Sequence, residues 1–547
     1  MSRLRITGGA VHDPANGVDG DVRDVCIDGG RIVASLPSDA PTLDAHGMVV
    51  MPGGIDIHSH VAAASVNQAR RLLPEEHGAN PSPAPALLDG EIGRSGTGGT
   101  VPSTFTTGYR YAGLGYTTVF DAAVAPLGAR ETHAELDDTP IVDAGFFTLM
   151  GNDEYLHRQI AAGERDRARD YVAWLLKATG AYAIKIVSPG GVELWKRNVR
   201  EVKSLDDPVG SPKVTPRAIL ETLTDAGNAL KLPHPVHIHC NNLGQAGNVA
   251  TTLETMRTLD GRRAHFTHLQ FHSYGGERGK SWSSAARQIA EYLNSHKDLT
   301  GDVGQVMFGP ATTVTADGAV EYLLHASTGK KWVNVDIELE TGCGIVPYTY
   351  QEKAAVAALQ WVVGLELFLL SGDPWRLVLS TDHPNGGTFL SYPELIRLLM
   401  DRTYRSDRLK MVNQRMLAGS ALADGINREY SLNEIAIITR AGPARLLGLA
   451  AKGHLGPGAD ADVTIYARDA DASRMFATPR YVLKGGVIVV EEGQLRRAPQ
   501  GHRLHVRPAH DDVLLRDLGR FFDQYATVQL ENYPVATPKD PPVWGSA

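Results

Sequence analysis

Residues 48–60 constrain the fold more than any other stretch. Met48-Val49-Val50-Met51 is apolar, Pro52-Gly53-Gly54 interrupts it, and Ile55-Asp56-Ile57-His58-Ser59-His60 starts a second strand-like run. Side chains at i and i+2 of a strand share a face, so His58 and His60 can aim two imidazoles at one point. Neutral imidazole is the commonest metal ligand. At the end of a barrel strand, such a pair opens onto the face where barrel enzymes keep their active sites. A bare His-x-His reads equally well as two solvated histidines in a turn, so the rest of the chain must decide.

At 547 residues the chain exceeds one ordinary domain. Leu4-Arg5-Ile6 alternates, and Val25 to Val33 reads as two strands around Gly29-Gly30. The pattern returns near the other end, where Val463-Thr464-Ile465-Tyr466 is a strand and Tyr481 to Val490 a hairpin around Gly485-Gly486. A stable sheet usually needs three or more strands, so neither end suffices alone. One β-sandwich domain built from residues 1–50 and 446–500 is therefore expected. Between them, residues 51–445 alternate strand-like and helical runs, the mark of a parallel sheet with crossover helices. Within that region Val66 to Thr107 is rich in Pro, Gly, Ser and Thr and reads as one long functional loop. Ala354 to Leu370 is apolar but carries Gln360 and Glu366, which predicts a buried helix rather than a membrane span. Ser431 and Glu434 form a capping box before a helix running to Gly442-Pro443. Residues 501–547 are expected to add a helical tail, with Leu514, Leu515, Leu518, Phe522 and Tyr525 at helical spacing and packed within the molecule.

Bulk properties exclude several classes. The formal net charge of -8 argues against nucleic-acid binding, which needs a broad basic surface. Cys26, Cys240 and Cys343 include no CxxC pair, so zinc-finger, iron–sulfur and disulfide frameworks are not expected. Reduced thiols, together with a start that lacks the apolar core of a signal peptide, predict a cytoplasmic protein with no membrane association.

Five strand ends carry candidate site residues: His58 and His60; Lys185 inside the apolar run Tyr182 to Val187; His239 ending Val236-His237-Ile238-His239; His268 after Ala264-His265-Phe266-Thr267; and Asp382 ending Leu377 to Asp382. Singly each has a structural reading: a hydrogen-bonded His, a snorkelling Lys, a helix-capping Asp. An unpaired buried ammonium is costly, so Lys185 must be paired, deprotonated or modified. His237 shares a face with His239, and His265 and His272 compete with His268. Asn241, Asn242, His383 and Asn385 are further substrate-facing or supporting candidates.

The order of these residues, with strands at both chain ends, resembles the amidohydrolase superfamily. Gly53 to His60, Leu73-Pro74-Glu75-Glu76-His77, His237-Ile238-His239-Cys240-Asn241-Asn242-Leu243-Gly244, Phe271-His272-Ser273-Tyr274-Gly275 and Glu531-Asn532-Tyr533-Pro534-Val535 are similar to the A-subunit family of formylmethanofuran dehydrogenase. Within it, they are most like the A subunit of the bacterial formyltransferase/hydrolase complex. The resemblance implies an α/β fold: a metal-dependent (β/α)8 barrel over residues 51–445, joined to the β-sandwich. It implies one or two divalent ions, with two zinc ions expected. Lys185 would be carboxylated and bridge them; His58 and His60 would hold one, His239 and His268 the other. His239 is preferred over His237 because His237 lies one layer deeper. Asp382 would stand beside the bridging hydroxide as ligand and proton shuttle.

By the same resemblance the substrate is a formylated methanofuran- or methylofuran-type coenzyme, hydrolysed to formate and free amine within a multi-subunit complex of one-carbon metabolism. Lys196, Arg197, Arg200 and Lys203 are available for an acidic coenzyme tail, or form a solvated helix face. Two other functions remain open at this point: a cyclic-amide hydrolase of dihydroorotase or hydantoinase type, and a non-catalytic assembly subunit.

Overall fold

The structure is a computed structural model that describes residues 3–545, except 80, 83–86, 89–90, 95, 200, 211–212, 336–342 and 537. Eight parallel strands form its centre: β1 (Gly54–Ser59), β2 (Tyr116–Val124), β3 (Asp143–Leu149), β4 (Ala183–Val187), β5 (Val236–His239), β6 (Ala264–Phe266), β7 (Leu299–Asp302) and β8 (Leu377–Val378). They neighbour one another in sequence order, and helices return the chain between most of them, as a right-handed βα connection requires. The sheet curls until its edges meet. Ser59 bridges His383, the His60 N–H donates to the His383 carbonyl at 2.6 Å, and Ser380 Oγ donates to the His58 carbonyl at 3.0 Å. The eight strands and the helices between them form a (β/α)8 barrel.

The second sheet draws on both chain ends. Met48–Pro52 lies between Leu4–Asp13 and Val463–Ala467, and the hairpin Tyr481–Lys484/Val487–Glu491 extends it. Ile6, Ile27, Val50, Val463, Ile465 and Leu483 bury one face completely. A buried ion cluster bolts this sheet to the barrel. Asp143, at the foot of β3, accepts from Lys484 Nζ at 2.7 Å and from Lys452, while Asp462 takes the same two ammoniums at 2.8 and 3.0 Å. Burial would raise the Asp143 carboxyl, but the two lysines hold it well below the usual carboxylate range. Removing one member of a buried ion pair typically costs about 3–5 kcal/mol. Asp143→Asn should lose about 3 kcal/mol, the lower figure because Asp462 still faces the lysines; denaturant unfolding at pH 7 checks this. A depressed carboxyl stabilises fully above its unfolded value of about 3.9 and ceases to do so as pH falls through its folded value. The gap between wild type and variant should therefore close in acid.

Several local readings change. The stretch 66–107 is partly helical, with helices Ala64–Leu72, Pro74–Ala79 and Thr104–Gly113. Val66 and Ala69 form one buried face against Val314 and Ile345, so tertiary packing overrides the loop-like composition. β6 stops at Phe266 and β8 at Val378, earlier than expected. Backbone φ of 36° at His268 and 51° at Asp382 is incompatible with a continuing strand. The helix after Ser431 passes through Gly442-Pro443 to Leu447 by way of a π-type turn at Ile437–Ala441. In the tail helix Val513–Tyr525, the buried residues are Leu514, Leu518, Phe521 and Phe522; Leu515 and Tyr525 are exposed. The i, i+4, i+7, i+8 set faces inward because Trp174 and Tyr155 receive Phe522 and Phe521. Beyond it, Tyr533 stacks on Trp174 and the Val535 N–H donates to the Ala178 carbonyl. Ala355–Leu370 is the buried helix that its composition predicts.

Candidate metal centre

Strand register sets the centre in layers. Lys185 lies opposite His237 and His237 opposite His265, while Val187 lies opposite His239. Lys185, His237 and His265 thus share one inward layer, and His239 belongs to the next layer toward the C-terminal rim. His58 is the penultimate residue of β1, and His60 lies just beyond the strand. His268 and Asp382 reach the same space from left-handed backbone past β6 and β8, a strained geometry that clusters at functional sites. His58, His60, Lys185, His239, His268 and Asp382 are all buried. All six line one cavity of about 460 Å³ together with Phe271, Trp282, Val320, Leu324, Tyr348 and Tyr350.

Asp382 Oδ1 is the hub. It lies 2.9 Å from His58 Nε2 and 3.2 Å from His60 Nε2, and Asn385 Nδ2 donates to it at 2.9 Å. Burial works against the Asp382 carboxylate, but His58, His268 and these contacts hold it well below the usual range. Two groups could each hold a metal: His58, His268 and Asp382, and His239, His268 and His272. In each, one potential ligand atom per residue lies within 4.8 Å of the others, and His268 belongs to both. Burial holds His239, His268 and His272 well below the ordinary imidazole value, which favours the neutral form that ligates a metal. Lys185 Nζ stands in this space with no hydrogen-bond partner among the described residues. Burial pulls its pKa down to about 7 against the pull of Asp382, Asp302 and Asp121. Imidazole nitrogens with carboxylate oxygens are a donor set that fits a divalent ion such as zinc.

Beneath the cavity a second network supports the first. His58 Nδ1 lies 2.8 Å from His237 Nε2, His237 Nδ1 lies 3.0 Å from His234 Nε2, and His234 Nδ1 lies 2.8 Å from the Leu446 carbonyl. Asp302 sits among these rings: Oδ2 is 3.2 Å from His265 Nε2 and 3.6 Å from His58 Nδ1, and Oδ1 accepts the His268 N–H at 2.9 Å. His58, His237 and Asp302 make a further metal-compatible group below the cavity. The acidic triple Asp143, Asp460 and Asp462 instead faces the Lys452 and Lys484 ammoniums.

The remaining candidates separate. Asn385 lines the cavity; its Oδ1 accepts the Val314 N–H at 2.5 Å. Asn241 donates to the Pro189 carbonyl, and Asn242 pins Val202 and Thr251, so both hold loops. His383 packs edge-on against Phe389. Lys196, Arg197 and Lys203 are exposed, and Arg200 lies outside the described residues. Asp302 and His234 escape sequence reading. Asp302 ends a strand as Asp382 follows one, but Leu299-Thr300-Gly301 is too short and polar to announce it.

Residues 42–490 match the amidohydrolase family. The chain belongs to that family. This amidohydrolase is 45% identical over 554 residues to Protein FwdA of Methanocaldococcus jannaschii, covering 97% of this chain and 96% of that protein. It is 40% identical over 501 residues to the A subunit of the formyltransferase/hydrolase complex Fhc of Methylorubrum extorquens, covering 90% of this chain and 89% of that relative. Its structure matches a chain of the X-ray crystal structure of the M. extorquens complex FhcABCD with methylofuran, at a TM-score of 0.92, 37% identity and full coverage of both chains. Among the described residues, no helix of this amidohydrolase is long and apolar enough to cross a membrane.

Proposed function

We propose that this amidohydrolase is the hydrolytic component of a formyltransferase/hydrolase complex. In this reading it cleaves the N-formyl amide of a methanofuran- or methylofuran-type coenzyme to formate and free aminomethylfuran, in the one-carbon metabolism of the cytoplasm. The observation that carries the reading is the end-to-end likeness to a chain of a complex crystallised with methylofuran. The cavity supports it, because Phe271, Trp282 and Tyr348 offer aromatic walls to a furan beside the His/Asp cluster.

His58 and His60 would hold one zinc ion, and His239 and His268 the other. Lys185, carboxylated at Nζ by carbon dioxide, would bridge them; the lowered pKa of Lys185 favours the unprotonated amine that such a reaction needs. When bound, the ions lower the pKa of water and polarise a carbonyl. Asp382 accepts the proton of the attacking water and returns it to the amide nitrogen as the C–N bond breaks. Asn385 fixes the Asp382 oxygen through its 2.9 Å hydrogen bond. The apolar walls exclude bulk water from the charged step.

Protein purified without chelator should contain about one or two divalent ions per chain by elemental analysis, and chelation should abolish formyl-coenzyme hydrolysis. Full activity in a metal-free preparation would overturn the reading. Turnover of dihydroorotate or hydantoins in place of the formyl coenzyme would establish the cyclic-amide alternative. Absence of any turnover with metal in place would establish an assembly role.

A further inference from the structure

His272 is an unexplained group just behind the cavity, next to the lining residues His239 and His268. It is fully buried, and neither ring nitrogen has a hydrogen-bond partner among the described residues. A buried polar group without a partner is costly and calls for a reason. The chain delivers it by a tight device. His268 adopts φ of 36°, and the 3-10 turn Leu269–His272 brings the two rings, four residues apart, to 5.2 Å between centroids. His239 approaches both, at 4.6 Å from the His268 ring and 5.1 Å from the His272 ring.

These separations have a chemical meaning. A tetrahedral zinc holds imidazole nitrogens at about 2.0–2.1 Å. Two rings on one such ion therefore have centroids roughly 5 Å apart. All three ring pairs meet that figure. His239 Nε2 and His268 Nδ1 also lack hydrogen-bond partners among the described residues, so each ring of the trio leaves a nitrogen unused.

We infer that His272 is a third imidazole ligand, and that His239, His268 and His272 form a three-histidine site able to hold one divalent ion without Lys185. The inference rests on the metal-centre reading above and adds a ligand to it. Its consequence is an unequal pair of positions. The ion at the three histidines is retained when the lysine bridge is absent, whereas the ion at His58 and His60 depends on that bridge.

Zinc alone and cobalt(II) alone serve as probes on the full-length chain. Wild type, Lys185→Ala, His272→Gln and Lys185→Ala/His272→Gln are stripped, reloaded and measured for ion stoichiometry, affinity and cobalt absorption. Lys185→Ala should retain one ion per chain, and adding His272→Gln should lower its affinity by more than roughly 100-fold. That exceeds the about 10–100-fold typical of losing an outer hydrogen bond to a ligand. The cobalt d–d bands of Lys185→Ala should shift when His272 is replaced. X-ray absorption on zinc-loaded Lys185→Ala, which leaves His272 intact, should count three imidazoles, so the inference stays testable even if the double variant fails to fold. Two imidazoles there, or unchanged affinity and bands in the double variant, would overturn the inference. A wild type that binds no ion at all would instead overturn the metal-centre reading itself.

Discussion

Lys185→Ala is expected to abolish formyl-coenzyme hydrolysis and to lower bound metal from two ions per chain to one. The side chain is buried, its Nζ has no hydrogen-bond partner among the described residues, and it lines the cavity together with His58 and His239. Truncation removes the proposed bridge and leaves the ion at His58 and His60 with too few ligands. Short carboxylic acids fit the vacated volume and supply the missing oxygens, so acetate or propionate should restore part of both metal and activity. Elemental analysis and turnover read the two effects separately. A variant that keeps two ions and full turnover would remove Lys185 from the centre.

Asp382→Asn separates chemistry from binding. The substitution keeps the size of the side chain and an oxygen to accept from Asn385 Nδ2, so the local arrangement survives. It cannot take a proton from water. We expect kcat to fall by at least roughly 10²-fold, the lower end for a positioned general base, with metal content mostly intact. A helix-capping Asp would tolerate the change, because Asn is an equally good cap. Near-normal hydrolysis by Asp382→Asn would return the residue to a structural role.

Much of the barrel and its rim is legible because strand periodicity reports it. His58, Lys185 and His239 sit in apolar strands, where a polar side chain at an inward position stands out. The rest is hidden for identifiable reasons. His268 and Asp382 lie past their strands in left-handed backbone, so alternation says which residues are present but not where they point. Asp302 ends a four-residue strand without an apolar run. The helix Ala64–Leu72 is masked by a polar sequence whose buried face is only Val66 and Ala69. Tail residues Leu515 and Phe521 exchange places between surface and core because a two-in-seven stripe fits several rotations of one helix. Aromatic neighbours brought by the fold, Tyr155 among them, choose the rotation.

The strand at Met48–Pro52 pairs with Val463–Ala467, joining Val50 to Ile465 across most of the chain. On a ribosome, the first fifty residues therefore emerge long before their sheet neighbours exist. Contacts of such sequence separation are slow to form because loop closure comes before any reward. Until then the edge of Met48–Pro52 is exposed, and exposed edges invite pairing with other chains. Completion of this sheet is thus a late event of synthesis, and a ribosome that stops before residue 463 leaves a barrel without its clasp.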